Sequence, residues 1–244
     1  MSIQTVIHGN GDSSQTLVVV FLRGGADGLS LVAPLEDDAY HRARPRLRLT
    51  KDKAVALDGF FGLNPLLRDL EAAWKDGDLA IVHGAGSEDE TRSHFEAQDL
   101  MEHGGVVAGG WLGRFLRAKQ GTGGGALSCV AIGRTLPESL LGAPSAVAME
   151  SLADFSLGTG SQKLRKSLER IYAEEADGFG AAARATFRAL ERIDSMRATP
   201  YQPENGATYG SDSFSEGLQQ IARLIKGRVG LEAASVDLGG WDSH

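Results

Sequence analysis

The chain has 244 residues, 42% of them apolar, enough to bury a sizeable core. Its formal charge is -7, and it carries no basic tract and no aromatic-basic pattern, which excludes a chain built to coat a nucleic-acid backbone. A lone cysteine, Cys129, excludes an internal disulfide. No stretch reaches the roughly 18 apolar residues of a membrane span, and the opening segment lacks the charged and apolar regions of a signal peptide. As written, the chain is expected in the cytoplasm, or exported if an upstream start carries a leader.

The first strong apolar segment is Leu17–Leu22 (LVVVFL). An unbroken apolar run rich in Val reads as a strand buried on both faces of a parallel sheet. Arg23-Gly-Gly-Ala-Asp-Gly28 follows, and its glycines allow a tight turn. Asp27 therefore stands just past the carboxyl end of a strand, where open α/β sheets present their ligands; it also suits an ordinary turn. Residues 29–34 are a short extended run or a helix start. Residues 37–48 are strongly charged, and Arg42, Arg44, Arg46 and Arg48 read as a solvated face.

Asn64-Pro65 opens a predicted helix, with Asn as cap and Pro in the first turn. Leu66, Leu67, Leu70, Ala73 and Trp74 follow at helical spacing, and Gly77 stops it. Leu79–His83 is expected to be the second buried strand, completing a parallel crossover unit. Gly84-Ala-Gly86 lacks the third glycine of a dinucleotide loop, and Glu88, Asp89 and Glu90 would repel a pyrophosphate, so a nucleotide cofactor is rejected.

Thr91 or Ser93 is expected to cap a helix whose apolar side carries Phe95 and Leu100. A hydroxyl at a helix start suits a nucleophile, because backbone N–H groups and the helix dipole stabilise an anion there. Arg92 and His94 flank Ser93 as a fixed cation and a proton carrier or ligand. An ordinary cap followed by a surface histidine is the competing account.

Further on, Trp111–Arg117 reads as an amphipathic helix and Leu127–Ile132 as the third buried strand. Residues 137–148 read as a loop. Residues 162–198 are helical in pattern, with Leu164, Leu168, Ile171, Phe179, Phe187, Leu190 and Ile193 on one face and a break near Gly178 and Gly180. Residues 151–200 form a candidate helical insertion in a single α/β domain spanning 1–244, and helices of this kind cover a sheet. Asp212 or Ser213 caps another helix. Ala234–Leu238 is the fourth strand and runs into Gly239-Gly-Trp-Asp-Ser-His244. There Asp242 and His244, two residues apart on a glycine-rich strand end, form a workable pair of ligands for a divalent ion.

Taken together, LVVVFLRGGADGLSLVAP, LDGFFGLNPLL with AIVHGAGSEDETRSHFEAQDLME, and VDLGGWDSH resemble a bacterial domain-of-unknown-function family, number 1501, grouped in the alkaline-phosphatase-like superfamily beside sulfatases and phosphodiesterases. The resemblance spans nearly the whole chain from Leu17. It implies an α/β fold with a mostly parallel central sheet flanked by helices and a metal-assisted site at the strand ends. Asp27 resembles the superfamily's first-strand metal ligand, Ser93 its nucleophile, and Asp242 with His244 a later ligand pair. The implied activity is hydrolysis of small-molecule or glycan phosphate or sulfate esters with a divalent ion (Zn, Mn, Mg or Ca), with Arg92 or His94 stabilising the anion. The later Asp-His-Gly motif of the superfamily is absent, so the sheet is expected to be incomplete at the C-terminus, the N-terminal portion of such a domain. A non-catalytic metal- or carbohydrate-binding role is the alternative. A serine esterase using Ser93 and His244 lacks a G-x-S-x-G elbow.

Overall fold

The computed structural model describes residues 15–105, 107–119, 125–157, 161–173 and 178–242. In chain order the elements begin with β1 (Leu17–Leu22), α1 (Gly28–Leu31), β2 (Val32–Pro34), α2 (Asp38–Ala43), β3 (Val55–Ala56) and β4 (Phe61–Leu63). A 3-10 helix (Pro65–Leu70) leads into α3 (Glu71–Lys75), followed by α4 (His94–His103) and α5 (Trp111–Ala118). Next come β5 (Cys129–Ile132), a second 3-10 turn (Glu138–Leu140), β6 (Val147–Met149), α6 (Ser161–Ala173), α7 (Gly178–Ala198), α8 (Ser213–Lys226) and β7 (Ala233–Leu238). The chain separates into two compact units, one holding residues up to 23 and 91–240, the other residues 24–90 and 241 onward.

The first unit is an α/β sandwich around a four-stranded sheet of order β1-β7-β5-β6, in which every pairing is parallel. Strand alternation divides the core between the two faces of the sheet. On one face Val130, Ala234 and Val236 pack with Ala189 and Ile193 of α7 and Ile221 and Leu224 of α8. On the other, Cys129, Ala131 and Ala233 pack with Leu112 of α5 and Leu140. Gly217 lets α8 lie close on the sheet: a Cβ there would come within 3.0 Å of Ile132 Cγ2 and 3.2 Å of Val236 Cγ2. Asp212 is the cap of α8, accepting the Ser215 N–H at 2.9 Å.

The strands expected at Leu127–Ile132 and Ala234–Leu238 form as β5 and β7. β1 forms too, but it is not buried on both faces, since Leu17 is 40% and Val20 42% exposed. It ends the sheet order and has β7 as its ladder partner, so an apolar sequence here marks an end strand and not an interior one. Leu79–His83 forms no strand and is not a buried run, since Val82 is 80% exposed. His83 stacks instead on the Phe61 ring, with centroids 3.8 Å apart. Of the 162–198 helices, α7 covers the sheet through Ala189 and Ile193. Leu164, Ile171 and Phe179, expected on the same inward face, are exposed.

The second unit is built on a three-stranded antiparallel sheet of order β2-β4-β3. Its core is Ala33, Leu35 and Tyr40, with Leu49 and Ala54 packed against them. Asn64 caps the 3-10 helix through the Leu66 N–H at 3.0 Å. Trp74 closes α3 onto the sheet by donating to the Leu57 carbonyl at 2.9 Å.

Candidate functional site

The sheet topology of the first unit brings two glycine-rich loops to one end. β1 and β7 are parallel neighbours with Leu22 opposite Leu238, and the Arg23 N–H donates to the Leu238 carbonyl at 2.9 Å. The loop leaving β1 carries Asp27, and the loop leaving β7 carries Asp242. Within the second unit the two loops touch. Gly24 has φ +113°, and a Cβ there would lie 2.7 Å from the Asp242 nitrogen, so only glycine suits this position. Beside it, the Trp241 indole N–H is buried with no hydrogen-bond partner among the described residues, an unsatisfied donor that costs stability unless something accepts from it.

Asp27 itself is heavily engaged. It is the N-cap of α1, taking the Leu29 N–H at 3.2 Å and the Ser30 hydroxyl at 2.6 Å. The Arg44 guanidinium grips both carboxylate oxygens, Nη2 to Oδ1 at 3.1 Å and Nη1 to Oδ2. Arg44 above all, helped by Ser30, holds the Asp27 carboxyl below the usual carboxylate range against a partial desolvation that acts the other way. Arg44 thus leaves the solvated face expected for it and becomes the principal partner of Asp27.

Ser93, Arg92 and His94 belong to the first unit and stand together at the start of α4. Ser93 is the N-cap, its Oγ accepting the Glu96 N–H at 3.4 Å. Thr91 supports the cap from outside, with its Oγ1 accepting the Ser93 N–H at 3.1 Å. The rest of α4 reverses the expected polarity: Phe95 is 70% exposed, while Gln98 and Glu102 are buried. The cause is Arg23. Its guanidinium donates to Asp237 at 2.7 Å, to Glu102 Oε2 at 3.2 Å and to Gln98 Oε1 at 3.3 Å. Desolvation pulls the Arg23 pKa down, but Asp237 and Glu102 more than offset it.

This network walls a cavity of about 400 Å³ at the carboxyl ends of β5 and β7, where Arg134, Thr135 and Glu138 complete the rim. Open α/β sheets place ligands at this end. Sequence reasoning missed Glu102 and Asp237 as partners of Arg23. The available signal was a glutamate and a glutamine four residues apart, one face of α4, in a helix of weak apolar periodicity.

For a divalent ion the sequence points to Asp27, Asp242 and His244, the last outside the described residues. Among the described residues no three His, Cys, Asp or Glu side chains gather into a metal-holding group. Asp27 and Asp242 offer the hard oxygen donors such an ion takes, but a cation at Asp27 has to displace Arg44. Cys129 is a poor alternative ligand, since burial pushes its thiol up to about 12.

The first unit is an α/β sandwich with a parallel sheet flanked by helices. No protein-family model, no curated protein and no solved structure matches the chain.

Proposed function

We propose that the protein is a metal-dependent hydrolase of phosphate or sulfate esters of the alkaline-phosphatase-like kind, acting from the glycine-rich loops that follow β1 and β7. The observation that carries this reading is the approach of the Asp242 backbone to Gly24, three residues before Asp27. Two carboxylates thereby lie on touching loops of the second unit, each loop following in the chain one strand of a parallel pair. Asp27 and Asp242 would hold the ion, which when bound supplies Lewis-acid polarisation of the ester. Ser93 as attacking hydroxyl, and Arg92 and His94 as anion-stabilising groups, stay with this reading as roles tested by their own variants.

The test is calorimetric titration with Zn, Mn, Mg and Ca, joined to turnover of nitrophenyl phosphate and nitrophenyl sulfate. Asp27→Asn is expected to weaken ion binding by about tenfold or more, the loss of one charged ligand. Ser93→Ala should stop turnover with the ion retained. Absence of saturable ion binding, or an affinity indifferent to Asp27→Asn, overturns the reading.

A second reading is a binding protein for a metal or carbohydrate without turnover. It draws on the full engagement of Asp27 by Arg44, Ser30 and Leu29. It also draws on the Arg23-lined cavity, whose mix of carboxylates and guanidinium groups suits hydroxyl-rich ligands. Under it, Ser93→Ala changes neither ligand affinity nor any ester signal.

A further inference from the structure

In the first unit a cavity of about 270 Å³ is lined by Arg188, Arg192 and Arg228 and, among the described residues, by no acidic residue. In a chain where Asp and Glu outnumber Lys and Arg by 32 to 25, a concavity with only cationic groups calls for a physical reason. The nearby carboxylates of α7 are committed elsewhere: Glu191 pairs with Arg165 at 2.8 Å, and Asp194 with Arg165 and Arg197. Arg188 and Arg192 are four residues apart on one helix, a like-charge spacing that destabilises the helix. Arg192 is fixed by its Nε, which donates to the Gly227 carbonyl at 3.0 Å. That bond leaves the two terminal nitrogens of the guanidinium fork for another partner.

Arg228 is held at φ +49°, a left-handed conformation that it shares with Asn205 alone among the described non-glycine residues. Such a conformation strains a side-chain-bearing residue and tends to collect at functional sites. Between the arginines the lining is apolar, with Leu127, Ala189 and Val229. Repulsion among the guanidinium groups and strain at Arg228 therefore converge on one cavity that has an apolar floor.

We infer that this cavity is a binding site for a small molecule that carries a phosphate- or sulfate-type oxyanion on an apolar body. Guanidinium forks match the paired oxygens of such groups in a way that ammonium groups do not. The apolar floor takes the body of the ligand, as small-molecule pockets commonly do. The site uses no residue assigned to ester hydrolysis and stands independently of that reading.

The probe is phenylphosphonate, whose carbon–phosphorus bond an ester hydrolase does not cleave, with inorganic phosphate as the arm lacking an apolar body. Both are titrated into the full chain by calorimetry. The expected result is saturable binding of phenylphosphonate, tighter than inorganic phosphate and weakened by salt. Arg188→Gln and Arg228→Gly should each lower the affinity by about tenfold, one charged hydrogen-bonding group apiece. Arg228→Gly also relieves the left-handed strain, so its melting temperature should hold or rise, which separates lost binding from lost folding. Arg197→Gln, on the same helix but outside the cavity, should bind as the parent does. No saturable binding to the parent chain, or affinities unchanged in both variants, overturns the inference. Equal affinity for inorganic phosphate overturns the apolar-body requirement.

Discussion

Arg44 lies across both carboxylate oxygens of Asp27, seventeen residues along the chain, and so occupies the side chain that a metal ion would need. In Arg44→Gln this competition is removed. If Asp27 is an ion ligand, the variant should bind the ion more tightly than the parent, by about tenfold; calorimetry reads this directly. An equal or weaker affinity would show that Arg44 does not compete for the ion.

The same pair sets a pH dependence. The Asp27 pKa is lowered in the folded chain, first by Arg44 and then by Ser30 and the Leu29 N–H. A depressed carboxylate contributes stability that is present above its unfolded value of about 4 and is lost as pH falls through the folded value. The acid limb of a pH–stability curve should therefore flatten in Asp27→Asn, with the stability difference from the parent full above about pH 4 and shrinking as pH falls below it. Urea titrations at a series of pH values measure it; a difference that persists undiminished at acid pH would refute it.

Glu102 sits nearly buried opposite Arg23, and its Oε1 also accepts the Ser139 N–H at 3.4 Å. Replacing it with Gln keeps the shape and removes the charge partner. The expected cost is about 2 kcal/mol, the scale of a hydrogen bond to a charged group. The Arg23 guanidinium is one-third exposed, which places the expectation below that of a wholly buried ion pair. Denaturant unfolding followed by tryptophan fluorescence gives the number.

Ser93 serves as a cap whatever else it does. Ser93→Ala should lose about 1 kcal/mol of stability, and Ser93→Asp should retain most of it, since Asp is as good a cap as Ser. Ester turnover that depends on the Ser93 hydroxyl vanishes in both. Turnover that survives in Ser93→Asp would remove Ser93 from the role of nucleophile without reference to folding.

Gly217 is where α8 meets the sheet. Gly217→Ala places a methyl 3.0 Å from Ile132 Cγ2 and 3.2 Å from Val236 Cγ2. Overpacking of this kind costs roughly 1–3 kcal/mol, although alanine would otherwise be the better helix residue by about 1 kcal/mol. A net loss in melting temperature is expected; a gain would mean that α8 shifts freely on the sheet.

Much of the fold was legible because it follows from local pattern. The apolar runs at β1, β5 and β7, the Asn64-Pro65 helix start, and the Ser93 and Asp212 caps all form where the residues place them. What failed depended on distant partners. Leu79–His83 has strand-like residues, yet it finds no ladder partner among the described residues and leaves Val82 80% exposed, and nothing within residues 79–83 records that. α4 turns its polar side inward because Arg23, some eighty residues earlier, reaches Gln98 and Glu102; periodicity sees Phe95 and Leu100 and assigns the opposite face. At the candidate site, Asp27 and the Asp242 loop were visible from their glycines, whereas the Arg44 clasp was not, because an alternating arginine run looks the same whether solvated or paired.

The β1–β7 ladder has a consequence for biosynthesis. Leu17 pairs with Ala233, and Thr16 donates to the Leu231 carbonyl across a separation of 215 residues. A ribosome adding roughly 5–20 residues per second needs on the order of 10–40 s to cover that interval. Throughout it the Leu17–Leu22 segment has been made but its ladder partner has not. The second unit, whose β2, β3 and β4 all pair within residues 32–63, has everything its sheet requires long before the first unit does. Nascent chains halted between these two points would therefore carry a paired antiparallel sheet and an unpaired apolar strand at once.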